Sequence, residues 1–241
     1  MPVCRVDELA TKFCQPVFTM IQVVRLSMVL IVPAALLWGC ARQPAFVTKD
    51  EPWRRTDETQ CLQSGYVRES RYVQARSALG GPEACGAIQP FEMTAASSGN
   101  VQLVPAATLR CPMIPAVDHW VSHSVQAAAR AHLGLPVVEV KVAASYSCRP
   151  RNGIFGGKLS EHGHANALDV SAFRLADGRW VTVKDGWSSW SSDSRFLRAV
   201  HQGGCGIFTT VLGPNADSFH RDHFHLDLAK HGRDGSGRIC K

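Results

Sequence analysis

The sequence lacks several features that would point to common classes of protein. No two cysteines are in CxxC spacing, so a zinc site built from thiolates is not expected. Lysine and arginine form no cluster, and the net charge of +6 therefore does not indicate a nucleic-acid partner. No internal repeat or low-complexity tract is present. The hydrophobic content of 45% excludes bulk disorder and is ordinary for a globular protein.

The longest apolar run is too short to span a bilayer comfortably and has the length found in signal peptides. Arg25 supplies the basic residue that precedes such a run. We therefore predict a signal peptide over residues 1–39, which makes this an exported protein. Because residues 1–19 fit no part of a signal peptide, translation could start at Met20 or Met28 instead.

The apolar run ends in a candidate lipidation signal. Leu37–Cys40 resembles a bacterial lipobox, in which the cysteine carries the lipid and becomes the mature N-terminus, although Trp38 replaces the usual small residue. The sequence favours a lipoprotein of the periplasm or cell envelope, attached to a membrane through Cys40, over plain secretion or a retained anchor helix. The membrane leaflet stays open.

Six of the nine cysteines follow the predicted lipidation site. In an oxidising compartment an even number of cysteines favours disulfides over buried thiols, so we predict three bonds. The connectivity stays open, but Cys205 with Cys240 is the favoured pair because these two bracket the C-terminal histidine-bearing strand. The candidates are Cys61, Cys85, Cys111, Cys148, Cys205 and Cys240.

Patterning divides the exported chain into three stretches. Residues 40–57 are polar and contain proline, as expected of a linker between lipid and domain. Residues 58–115 are irregular and contain three cysteines, which predicts a disulfide-stapled extension with few regular elements. Residues 116–241 have clear helical and strand patterns and are predicted to form the main domain.

Strand patterns in the main domain occur in clusters separated by helices, without a regular βαβ alternation. This arrangement favours an α+β fold with a small antiparallel sheet flanked by helices. Asp118 and Asp193 are predicted to cap the two helices, which end at Gly134 and at Gly203-Gly204. The predicted strands are Val137–Ser147, Ala167–Phe173, Trp180–Val183, Cys205–Leu212 and His223–Leu228.

Two separated motifs together can supply the ligands of a metal ion. His162 and Asp169, seven residues apart, and His225 of a distant His-x-His contribute two imidazoles and one carboxylate. Such a set holds zinc tetrahedrally and leaves one position open for water, which distinguishes a catalytic from a structural zinc site. Because the spacing is odd, His162 and Asp169 cannot share one face of a strand, so a turn must bring them together.

The His-x-His lies in a predicted strand, where residues two apart point to the same side of the sheet. His223 therefore faces the same side as His225, and Asp227 shares that side and could orient a ligand histidine. The remaining histidines match no ligand position and are expected to be surface or packed residues, except that His164 lies inside the first motif. They are His119, His123, His132, His164, His201 and His231.

The first motif, SEHGHANALD at residues 160–169, resembles the SxHxxGxAxD signature of a group of zinc metallopeptidases. That group includes D-alanyl-D-alanine peptidases, lysostaphin-type enzymes and hedgehog domains. Ala165 replaces the glycine of the signature. The C-terminal His-x-His resembles the penicillin-insensitive murein endopeptidases, which carry a further upstream histidine, matched here by His220.

The wider spacing is similar to a bacterial family called extensin-like C-terminal domain proteins. This resemblance covers roughly residues 110–240 and includes residues 146–149 and 219–225. The Ser-Pro-rich repeats of plant extensins are absent. Together the resemblances imply a hedgehog-like or D-alanyl-D-alanine peptidase-like fold and the activity of a zinc metallopeptidase.

Peptide hydrolysis also needs a base and a group that stabilises the oxyanion. His223 is the first candidate for the base because it lies two positions from a ligand, and Asp222 competes because related enzymes have an acidic residue three before the final ligand. His220 could assist the transition state. Ser160 and Arg149 are candidates for substrate binding, although Arg149 could instead pair with a structural carboxylate.

Export, lipid anchoring and the motifs predict a zinc hydrolase that cleaves peptidoglycan peptides in the cell envelope. The alternative is a non-catalytic envelope lipoprotein that uses the same fold to bind cell wall or a partner, since a fold alone does not settle function. A secreted peptidase that acts on protein is a third option. The sequence does not decide between DD and LD bonds, between endo- and carboxypeptidase action, or the oligomeric state.

Overall fold

Much of the described chain folds around a nine-stranded sheet. The structure is a computed structural model that describes residues 46–49, 51–81, 84–188 and 190–241. The predicted signal peptide and the lipidation candidate Cys40 lie outside these residues. The strands are β1 (Val73–Ala75), β2 (Leu79–Gly80), β3 (Gly86–Ala87), β4 (Pro90–Ala96), β5 (Val101–Arg110), β6 (Val137–Ala144), β7 (Ala167–Leu175), β8 (Trp180–Thr182), β9 (Thr210–Leu212), β10 (Phe224–Asp227) and β11 (Ile239–Cys240).

The strand order in the sheet is β1-β4-β5-β6-β7-β10-β9-β11, with β8 beside β7. Its neighbours pair antiparallel except β5 with β6 and β9 with β11. The α+β class is thus confirmed, but the sheet is larger than the small antiparallel sheet that was expected. β2 and β3 form a separate two-stranded sheet.

The prediction of an irregular extension over residues 58–115 is wrong. This stretch supplies β1, β4 and β5, which join the strands of residues 116–241 in one sheet. Alternate residues of β5 are buried on either side of Pro105, but the register against β4 shifts in this region. Pro105 is exposed and interrupts the row of buried alternate residues, and a proline within such a run argues against a strand. The polar turn Ser97–Gly99 reads as a loop.

Two predicted helix caps are also wrong. The carboxylate of Asp118 accepts the N–H of Ser97 at 2.8 Å, because the helix has already begun five residues earlier. The hydroxyl of Ser191, rather than Asp193, caps the last helix by accepting the N–H of Ser194 at 3.3 Å. The helices are α1 (Trp53–Ser64), α2 (Met113–His119), α3 (Gln126–Leu133), α4 (Val183–Gly186) and α5 (Ser192–Cys205), and a π-helical segment, Trp120–Val125, joins α2 to α3.

Gly203 and Gly204 lie inside α5 and do not end it. They allow this helix to approach its neighbours closely: a Cβ on Gly203 would lie 2.6 Å from the side chain of Ser124, and one on Gly204 would lie 3.4 Å from Nε1 of Trp120. Because α5 continues to Cys205, the strand predicted over Cys205–Leu212 is limited to β9.

Side-chain alternation in β10 separates the core from the opposite face of the sheet. Phe224 and Leu226 belong to the large buried apolar cluster, so His225 and Asp227 point to the other side. In the neighbouring strand β7, Asp169 is the direct pairing partner of His225. Packing of apolar residues in the core therefore fixes which polar side chains meet on the far face.

All three predicted disulfides are present, with Cα separations of 6.0 Å for Cys61–Cys111 and 5.7 Å for Cys85–Cys148 and Cys205–Cys240. The favoured pair Cys205–Cys240 is among them. Cys148 immediately precedes Arg149, so the second bond ties the segment before β4 to the loop that follows β6.

Residues 46–49 and 51–57, which were predicted to belong to a linker over residues 40–57, belong to the fold. The N–H of Val47 donates to the carbonyl of Gly157 at 2.8 Å, and α1 begins at Trp53. No helix in the described ranges is both long enough and apolar enough to cross a bilayer.

α1 is anchored to the first motif by a buried ion pair. Arg54 donates two hydrogen bonds of 2.6 Å to the carboxylate of Glu161, which also accepts one of 2.7 Å from the side-chain amide of Asn166. Burial raises the pKa of Glu161, but the hydrogen bonds and charge of Arg54 outweigh it and lower this pKa to about 2.

The pair makes folding stability depend on pH in a defined direction. Because the pKa of Glu161 falls from 4.5 to about 2 on folding, its contribution is complete above pH 4.5 and is lost as the pH falls towards 2. We expect Glu161→Gln to lower the free energy of unfolding at pH 7 by on the order of 3 kcal/mol, with the difference from wild type vanishing near pH 2. Denaturant unfolding at both pH values, with chelator present, measures this difference.

Glu92→Gln is the matched control, since Glu92 pairs with Arg76 on the surface and its side chain is 34% exposed. It should change stability little at either pH. A Glu161→Gln variant whose deficit is the same at pH 2 and pH 7 would show that the carboxylate charge is not what holds α1.

Candidate metal centre

A cavity of about 370 Å³ opens on the face of the sheet opposite the apolar core. β7, β10 and the loops that precede them contribute its walls. Most residues predicted for the functional site line this cavity, although they come from distant parts of the chain. They are Arg149, Ser160, His162, Asp169, His220, His223 and His225.

His162 is placed by a single 3-10 turn, Glu161–His164. The hydroxyl of Ser160 accepts the N–H of His162 at 3.4 Å and so caps the turn. Ala165 follows it with φ 52°, in the left-handed region that glycine adopts at the lowest cost. This is the position at which the metallopeptidase signature has glycine. Because this turn precedes β7, the side chain of His162 can reach Asp169 although the two residues are an odd number of positions apart.

Nδ1 of His162, the ring nitrogen that faces away from Asp169, lies 2.5 Å from the backbone carbonyl oxygen of Ser145. A carbonyl only accepts, so Nδ1 of His162 carries the proton and, in the neutral ring, Nε2 carries the lone pair. Nε2 points to Asp169, with Oδ2 at 3.1 Å.

His225 is oriented in the same way but through the opposite ring nitrogen. Its Nε2 lies 2.9 Å from Oδ2 of Asp227, which shares its face of β10 as expected. Because the ionised Asp227 only accepts, Nε2–H is the donor and Nδ1 faces the cavity. Nδ1 is 2.9 Å from Oδ1 of Asp169 and 3.2 Å from Nε2 of His162.

The ring nitrogens and carboxylate oxygens that face one another in this cluster have the spacing of metal ligands. Donors bound 2.0–2.1 Å from a tetrahedral ion are roughly 3.3 Å apart. In the structure Nε2 of His162, Nδ1 of His225 and the carboxylate oxygens of Asp169 are 2.9–3.2 Å apart, so a small expansion would admit an ion between them. Two imidazoles and one carboxylate form a donor set that suits zinc and similar divalent metals.

The electrostatics of the cluster call for a cation at its centre. Burial raises the pKa of Asp169, but hydrogen bonds with His162 and His225 outweigh it and hold this pKa far below its ordinary range. Burial lowers the pKa of His225, yet Asp169 and Asp227 raise it to about 10. The imidazole of His225 thus holds a proton at neutral pH, and a metal ion can supply the same positive charge in its place.

A second pair of histidines lies outside the cluster, each with its own carboxylate. Nδ1 of His223 lies 2.8 Å from Oδ1 of Asp222, while its Nε2 lies 3.8 Å from Oδ2 of Asp169. Asp222 is itself 65% exposed and does not line the cavity. It therefore contacts the outer side of the His223 ring and not the metal-ligand cluster.

His220 lies beside His223, with ring centroids 5.2 Å apart and the ring planes tilted by 51°. Its Nδ1 lies 2.7 Å from Oδ1 of Asp217, a residue that the sequence analysis did not single out. Burial lowers the pKa of His220 against the opposing effect of Asp217. The spacing of three residues between Asp217 and His220 was the signal that could have identified this pair.

The two residues predicted to bind substrate differ in their contacts. The guanidinium of Arg149 lies 4.0 Å from Oδ2 of Asp169 and is partly exposed in the cavity, so it neighbours a ligand and can also reach a bound molecule. Ser160 is buried, and its hydroxyl is engaged with the N–H of His162. Ser160 therefore acts on the turn that positions His162.

Three contacts of the centre had no signal in the sequence. The carbonyl of Ser145 is a backbone group, Arg151 lines the cavity from the loop after β6, and His231 lines it while bonding the hydroxyl of Thr210 at 2.7 Å. His164, next to the cluster in sequence, lines a different cavity. His201 lies near Cys205 and Cys240, but their disulfide removes the thiolates a metal would need.

Comparison of the chain with curated proteins and with solved structures finds no match. The profile of the family described as extensin-like protein C-terminus matches residues 59–241. The matched region is well over half of the chain and begins inside α1, so it contains every strand of the sheet and every residue of the metal-ligand cluster. The chain belongs to the extensin-like protein C-terminus family.

Proposed function

We propose that this protein is a zinc-dependent hydrolase of peptidoglycan peptides in the cell envelope, anchored there by a lipid. One observation carries the proposal: the outer hydrogen bonds of His162 and His225 direct both inner nitrogens at the carboxylate of Asp169. A buried cluster of that composition needs a positive charge, and zinc supplies it to the N and O ligands that it prefers.

The number of ligands supports a catalytic role over a structural one. Within the described ranges three protein side chains converge, whereas a structural zinc site has four. The fourth coordination position of a tetrahedral ion held by these three side chains would be open to the cavity. When bound, zinc supplies a Lewis acid and lowers the pKa of a water molecule in the open position to about 7.

His223 is the proposed general base. Asp222 holds the proton of His223 on Nδ1, so Nε2, inside the cavity, has the lone pair that can accept a proton. Asp222 is assigned to positioning of the His223 ring, since its carboxylate lies on the outer side. His220, positioned by Asp217, is proposed to assist proton transfer to the leaving group.

Arginines on one side of the cavity support a peptide substrate with free carboxylates. Arg149 and Arg151 both line it, and a guanidinium binds a carboxylate with two parallel hydrogen bonds. Stem peptides of peptidoglycan carry such groups. Residues 160–169 resemble the signature of the wider metallopeptidase group, and residues 220–225 resemble murein endopeptidases, which supports the same substrate class.

Metal binding is tested first. His162→Ala and His225→Ala should each lose stoichiometric zinc, because two remaining ligands do not hold the ion. Asp227→Asn should retain zinc but bind it about 10–100-fold more weakly, since it loses the group that orients His225. Competition with a chromophoric chelator measures the affinities. The control is His123→Ala, which removes an exposed histidine on the π-helical segment and should bind zinc as wild type does.

Catalysis is tested on purified muropeptides with zinc and with chelator. His223→Ala should keep zinc and lose about 10²–10⁴ in rate, because the proton acceptor is gone. Asp222→Asn should lose less, with its pH–rate profile shifted. A nearly silent His223→Ala beside a severe Asp222→Asn would move the base to Asp222. A zinc-loaded wild type that binds but does not cleave peptidoglycan would favour the non-catalytic envelope protein.

A further inference from the structure

A second cavity, of about 930 Å³, shares no lining residue with the metal centre. Its walls come from the start of α1, the segment around β3 and the end of β5. Among the described residues, its charged lining consists of Lys49, Glu51, Arg54, Arg55, Glu58 and Arg110.

Arg110 is the central feature of this cavity. Its side chain is 2% exposed, yet Nε–H has no hydrogen-bond partner among the described residues. The guanidinium donates to the backbone carbonyl of Arg54, and its distance of 3.8 Å from the carboxylate of Glu58 exceeds a hydrogen bond. A buried cationic donor without an acceptor is costly, so this group is suited to an acceptor from outside the chain.

The other charges leave an excess of positive charge in the cavity. Arg54 and Glu51 are already engaged, with each other and with Glu161. Of the other charged wall residues, Glu58 is negative and Lys49, Arg55 and Arg110 are positive. The described walls therefore have two positive charges in excess. Burial, and to a lesser degree Arg54, lowers the pKa of Arg110 against the opposing effect of Glu58. Neither Lys49 nor Arg55 forms an ion pair with a described residue.

We propose that this cavity binds a phosphate group, with Nε–H of Arg110 as the buried donor and Arg55 and Lys49 at the entrance. A phosphate monoester carries nearly two negative charges and several acceptor oxygens, which match the excess charge and the unpaired donor better than a single carboxylate does. The same chemistry is offered by soluble phosphate and by the monoester headgroup of phosphatidic acid. This inference does not depend on the proposed hydrolase activity.

Isothermal titration of inorganic phosphate into the mature chain tests the site. One phosphate per chain is expected, and Arg55→Gln and Lys49→Gln should each weaken it roughly fivefold, as expected for the loss of one charged contact. Both side chains are exposed, so these variants should remain folded. The matched control is Arg195→Gln on the exposed side of α5, which should bind as wild type does.

Two results would overturn the proposal. One is the absence of stoichiometric phosphate binding to wild type, both in the titration and in the vesicle assay that follows. The other is binding that Arg149→Gln weakens and Arg55→Gln does not, which would place the anion at the metal centre. Amide chemical shifts of residues 53–58 and 84–88 should change on binding and locate the ion independently.

Vesicles distinguish the two sources of phosphate. The protein should co-sediment with vesicles that contain phosphatidic acid and not with neutral phosphatidylcholine vesicles if a lipid headgroup is the ligand. Arg55→Gln should then reduce this co-sedimentation. Phosphate binding in solution without such co-sedimentation would identify a soluble phosphate. Arg110→Gln, checked for folding by circular dichroism, should abolish either form of binding.

Discussion

The pairing of Asp169 with His225 across β7 and β10 is the contact on which the candidate metal centre depends. Apolar packing fixes it: with Phe224 and Leu226 held in the core, His225 must point to the other face. A shift of β10 by one residue would exchange the two sets of side chains, placing an imidazole in the core and a phenyl ring in the cavity. The stability of the core and the geometry of the centre are therefore one constraint.

Contacts outside the cluster determine what it can bind. The carbonyl of Ser145 and the carboxylate of Asp227 select which ring nitrogen of each candidate ligand histidine faces inward. Asp222 and Asp217 do the same for His223 and His220. The outer contact of each of these four histidines thus assigns the ring nitrogen that carries a proton there, which is a requirement for a metal ligand and equally for a proton acceptor.

The N-terminal part of the fold supports the first motif from behind. Arg54 of α1 holds Glu161, whose neighbour His162 is a candidate ligand, and Cys85–Cys148 fastens the loop that carries Arg149. Glu161 lines the metal cavity while Arg54 lines the second cavity, so one buried ion pair separates the two. A change at the proposed phosphate site therefore has a direct physical route to the turn of His162.

The sequence by itself determined the elements whose pattern is local. The alternation of β10 predicted that His225 and Asp227 share a face, the cysteine count predicted three disulfides, and the spacing of His162 and Asp169 required a turn. Only the tertiary structure decided the rest. β5 joins the sheet despite Pro105 in its middle, because pairing with β4 and β6 satisfies the backbone on either side of the proline. The choice of nitrogen in His162 depends on a carbonyl seventeen residues away, which no side-chain pattern records.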